Sequence, residues 1–84
     1  MKQLHMKAKD AFIFNLKHAM YVLDINQVEL AERSGVSRQF INNVLKRDSG
    51  LAISTVEKIA KALGLEETDL FDPNFQERYK KKVK

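Results

Sequence analysis

Eighty-four residues suffice for one small domain, close to the size at which a single hydrophobic core only just holds. A hydrophobic share of 44% and a charged share of 31% exclude global disorder, and the absence of cysteine excludes a disulfide framework and cysteine-based zinc sites. The net charge of +4 is polarised rather than uniform: +4 in residues 1–47, −5 in residues 48–77 and +5 in "RYKKKVK", residues 78–84.

No apolar run approaches the roughly 18 residues of a membrane span, and "MKQLHMKAKD" lacks the apolar core of a signal peptide. A cytoplasmic location is therefore expected. Helical periodicity begins in "DAFIFNLKHAMYVL", where Phe12, Leu16, Ala19, Met20 and Leu23 share a face behind Asp10 as N-cap. A second helix starts at "INQVEL": Asn26 caps it, Glu29 completes a capping box, and Ile25 can staple to Leu30. It runs to about Ser34, and Gly35 supplies the left-handed backbone that ends it. Ser37 caps the third helix, with Val36 and Ile41 at staple spacing and Ile41, Val44 and Leu45 facing inward.

After "KRDSG", Val56, Ile59, Ala60 and Leu63 mark a fourth helix ended by Gly64, with Ser54 and Glu57 as its capping box and a start that can lie one or two residues earlier. A short fifth helix, "EETDLF", stops at Asp72-Pro73. The expected architecture is all-α: a compact five-helix domain over residues 8–72, followed by a basic, flexible tail over residues 73–84. Glu66, Glu67 and Asp69 open the fifth helix, where they offset its macrodipole.

Residues 27–46 form two helices of about two turns joined by a tight turn at Gly35, a helix-turn-helix. A B-form major groove is about 12 Å wide and admits one helix. The first two turns of the second helix carry Arg38, Gln39, Asn42 and Asn43. Arg can bond bidentately to guanine, and Gln and Asn to adenine. Any one of these residues alone reads as ordinary polar surface; four together, directly after such a joint, point to base reading.

The stretch from Leu16 to Phe71, carried by "NQVELAERSGVSRQFINNVL" and "STVEKIAKALGLEETDLF", resembles the Cro and lambda-repressor type of helix-turn-helix, the XRE family. The resemblance covers about two-thirds of the chain. It implies a five-helix lambda-repressor-like domain that binds double-stranded DNA, usually as a dimer on a two-fold operator. Gln27 matches a phosphate-contacting position that buttresses the reading helix. Arg38, Gln39 and Asn43 match base-contacting positions, with Asn42 beside them. Lys46 and Arg47 stand where the family touches the backbone again, and Ser37 can reach a phosphate. Two departures stand out. Met20 and Leu45 occupy the places of a family ion pair, which implies an apolar contact between helices one and three. Phe40 lies on the outward side of the reading helix, where packing over the loop to helix four is the favoured role.

Other chemistry is thin. His5 and His18 have no partner at metal-ligand spacing, no phosphate-binding glycine loop is present, and no nucleophile motif appears. The chain is expected to be neither an enzyme nor a cofactor binder. The favoured function is a small transcriptional repressor that occludes its operator, with regulation by concentration or by another protein such as an antirepressor. The alternative is the antitoxin of a toxin–antitoxin pair, which binds a toxin and its own operator. Leu65, Leu70, Phe71 and Phe75 are more large apolar residues than one short terminal helix needs for its own inner face. A homodimer joined through this C-terminal part is therefore expected.

Overall fold

The longest helix begins where nothing stops it. The computed structural model describes residues 2–46 and 52–80, with side chains from Lys9 onward, and α1 spans Lys2–Leu23. Asp10 lies inside α1 and does not cap it. Residues 2–9 hold no Gly or Pro and are rich in good helix formers, so a cap-competent side chain is not enough to start a helix there. The buried side of α1 is Phe12, Ile13, Leu16 and Ala19, with one polar residue among them, Asn15.

α1 ends in a Schellman turn: Ile25 N–H bonds back to the Met20 carbonyl and Asp24 N–H to that of Tyr21. Asp24 occupies the left-handed position, at φ 57°, usually taken by glycine. α2 (Gln27–Ser34) starts as its sequence foretells, with Asn26 and Glu29 exchanging backbone-to-side-chain hydrogen bonds of 2.9 and 3.0 Å. Ile25 and Leu30 are both buried in the core. Gly35 ends α2 at φ 75°.

α3 spans Arg38–Leu45 and α4 spans Ile53–Leu63. α4 buries Val56, Ile59, Ala60 and Leu63 and stops in a second Schellman turn at Gly64 (φ 72°). Its N-cap is Ala52, which has no side-chain cap bond, so the Ser54–Glu57 box is not the start; Ser54 sits in the first turn.

"EETDLF" is not an α-helix but a 3-10 helix, Glu67–Phe71, short enough for the tighter winding. Beyond Pro73 the chain folds again: α5 (Phe75–Arg78) puts Phe75 fully in the core, stacked on Tyr79 at 4.8 Å between ring centroids. The packed chain thus extends to Tyr79, past the expected boundary at residue 72. The described residues contain five α-helices, one 3-10 helix and no strand. α1 lies against the 3-10 helix, α5 and α3, and α2 lies against α3 and α4.

The four C-terminal apolar residues serve this core. Leu70 and Phe75 are fully buried, and Leu65 and Phe71 pack against the same cluster. Met20, Leu45 and Phe40 are also partly buried against the core, which places Phe40 on the flank of α3 as packing.

Candidate nucleic-acid interface

The turn between α2 and α3 is held by its own side chains. Ser34 Oγ donates to the Leu30 carbonyl (2.7 Å) and accepts from Val36 N–H (3.2 Å), while Gly35 N–H returns to the Ala31 carbonyl (2.9 Å). The sequence signals Gly35 as the stop; the stitching role of Ser34 emerges only when the turn is closed. Ser37 then caps α3, its Oγ accepting from Phe40 N–H at 3.1 Å. Because the oxygen serves as acceptor, the hydroxyl hydrogen is left to donate outward.

Ile41 and Val44 are fully buried, and they orient α3. At 100° per residue, Gln39 and Lys46 fall on the line opposite them, Asn42 and Asn43 flank that line about 50° to either side, and Arg38 stands about 90° from it, at the start of the helix. Arg38, Gln39, Ser37 and Lys46 are exposed, and Asn42 and Asn43 are half-exposed. The structure therefore leaves Gln39, Asn42 and Asn43 on the solvent-facing side of α3, with Arg38 exposed at its first position. Gln27 is the first residue of α2 and half-exposed. Arg47 lies outside the described residues.

Electrostatics agree with this geometry. From Arg33 to Lys46 the chain has three cationic side chains and no acidic one. Four acidic residues, Glu66, Glu67, Asp69 and Asp72, gather on and beside the 3-10 helix, which packs chiefly against α1 and α4. There Arg78 binds Asp69 (2.9 Å) and Asp72 (2.8 Å). The Arg78 hydrogen bond, then the Glu66 backbone N–H, hold the Asp69 carboxyl below its ordinary value. Asp72 is lowered first by the Asn74 backbone N–H and then by Arg78. Glu67 is pushed up by lost hydration and by neighbouring Glu57 and Glu66. One basic residue of the C-terminal cluster is thus engaged within the fold.

Two residues important to this framework carry little signal in the sequence. Asn15 Nδ2 donates to the carbonyls of Leu70 (3.0 Å) and Asp72 (2.9 Å), pinning α1 to the end of the 3-10 helix and the residue that follows it. Its only signal is a lone polar side chain on an apolar stripe. His18 reaches the Tyr79 carbonyl through Nε2 and stands edge-on to Phe75, so it too closes the C-terminal segment. No cluster of groups able to hold a metal ion occurs among the described residues, and no described helix is long and apolar enough to cross a membrane.

The sequence profile of the helix-turn-helix family matches residues 23–70, more than half of the chain and all of α2, α3 and α4. No curated protein and no solved structure matches significantly. With the capped pair of helices, the glycine turn and the outward polar face in place, the chain belongs to the Cro and lambda-repressor type of helix-turn-helix, the XRE family of DNA-binding transcriptional regulators.

Proposed function

We propose that this protein is a transcriptional repressor that binds its operator as a homodimer, inserts α3 into the major groove and so excludes polymerase. The observation that carries the reading is the solvent-facing side of α3, where Gln39 lies opposite the buried Ile41 and Val44, Asn42 and Asn43 flank it, and the exposed Arg38 stands at the helix start. These four are assigned to base edges; Gln27, Ser37, Lys46 and Arg47 are assigned to phosphates. Phosphate contacts set the docking and base contacts set the sequence. A two-fold dimer would place its reading helices about 34–36 Å apart, one helical turn of DNA.

Selection of bound sites from random duplex DNA, with the stoichiometry of the complex measured, tests this reading. A two-fold consensus with two chains per site is the expected result. Binding without sequence preference would overturn it. An antitoxin, the competing reading, would instead co-purify with a small basic partner.

A further inference from the structure

The end of α2 is built differently from the ends of α1 and α4. In those two, the residue after the left-handed one donates to a carbonyl five residues earlier, Ile25 N–H to Met20 and Leu65 N–H to Ala60. Such a bond folds the chain back over the end of its own helix. At α2 the left-handed Gly35 bonds back to Ala31, but the next amide, Val36 N–H, goes to Ser34 Oγ at 3.2 Å. Ser34 is fixed for that task. Its hydroxyl hydrogen is spent on the Leu30 carbonyl (2.7 Å), which leaves a lone pair for the amide. The chain therefore leaves α2 without the back-fold, one residue before the Ser37 cap opens α3.

We propose that Ser34 is a positioning residue for DNA recognition: its hydroxyl sets the direction in which the chain leaves α2, and so the tilt at which α3 meets the groove. The inference deepens, and rests on, the major-groove reading by α3 in the proposed function. α3 has eight residues and is about 12 Å long. Its fully buried side chains, Ile41 and Val44, stand about 4.5 Å apart along it and fix which side faces inward. The turn holds its near end. A change of about 15° at the turn swings the far end by about 3 Å, a whole hydrogen-bond length. Asn42 and Asn43 lie toward that far end. A flexible lysine on a phosphate tolerates such a swing, and a bidentate base contact does not. The hydroxyl of Ser34 thus acts on sequence preference through α3, although Ser34 itself touches no base.

Affinities of the full chain for its selected duplex and for a scrambled duplex test this role. The parent, Ser34→Ala, Ser34→Thr and Ser34→Val would be compared, with circular dichroism confirming the fold. Thr and Val share a shape and differ by the hydroxyl. We expect the ratio of the two affinities to fall at least about fivefold in Ser34→Ala and Ser34→Val, what one base contact contributes, and to be kept in Ser34→Thr. A role in stability alone would lower both affinities together and leave the ratio unchanged, which overturns the proposal. A ratio that falls in Ser34→Thr as far as in Ser34→Val overturns it too. Amide exchange in the parent needs no variant to fold: a protected Val36 amide supports the bond, and one exchanging at the open-chain rate overturns it. A parent that selects no sequence overturns the reading by α3 itself, and the inference with it.

Discussion

Gln39 and Asn43 lie one turn apart on the solvent-facing side of α3, and neither supports the core. Replacing either with Ala should leave thermal stability close to that of the parent. Each replacement should cost about 1–3 kcal/mol of discrimination at its base pair, read from binding to single-site operator variants. Lys46→Ala should behave differently, weakening all duplexes alike and reducing the log–log salt slope by about 0.9. Asn15 is the opposite kind of residue, polar but internal. Asn15→Ala removes the donor for the Leu70 and Asp72 carbonyls. Stranding a buried acceptor costs about 1–3 kcal/mol, to be read from the urea midpoint.

Among the helices, the ends are where the sequence is least optimised. Asp24 holds a left-handed backbone and places a carboxylate at the negative end of the α1 dipole. Asp24→Gly removes both penalties and should stabilise by about 1 kcal/mol, raising Tm by about 4–8 °C for a domain of this size. At the start of α4, Ala52 has extended backbone but no oxygen to offer the first-turn amides. Ala52→Ser should add about 0.5–1 kcal/mol by the same calorimetric measure. By comparison, Gly35 and Gly64 already hold the residue their φ angles favour, and substitution there would introduce strain.

At the scale of the molecule, α5 closes the core. Phe75→Ala should cost about 3–5 kcal/mol, a large share of what a small domain has, and termination after Asp72 should be at least as damaging. Termination after Lys80 keeps Phe75, Arg78 and Tyr79 and should leave the urea midpoint unchanged. It separates the remaining lysines from the fold: if these follow DNA phosphates, this truncation lowers affinity for every sequence and flattens the salt slope without altering preference. The clamp of Arg78 on Asp69 and Asp72 also sets an acid limit. Both carboxyls are held below the ordinary aspartate value of about 3.9 in the folded state. Their contribution is therefore fully present above that value and lost as pH falls through the lowered values. Urea midpoints measured down that range should drop, and Arg78→Gln should show a shallower drop.

Local chemistry explains what is legible in the sequence. The Asn26–Glu29 box, the Gly35 stop, the Ser37 cap, the Gly64 stop and the inward faces of α3 and α4 each depend on residues within one or two turns of one another. The outward face of α3 follows from its inward one by helical geometry, so the candidate reading residues are legible in the amino-acid sequence alone. Where sequence and fold part company, one local signal outweighs another or the deciding interaction is long-range. Asp10 looks like a cap, but uninterrupted good helix formers before it carry α1 through. Residues 73–79 look like the root of a tail, because four helical residues cannot hold together alone. They fold because Phe75 finds the core, His18 meets the Tyr79 carbonyl, and Arg78 reaches back to Asp69. The two hydrogen-bonded partners lie 61 and 9 residues away along the chain. Helical periodicity already leaves Phe14 and Tyr21 off the inward face of α1; only tertiary packing decides that Leu70 and Phe75 belong inside, since each sits in a segment too short to show an inner face of its own.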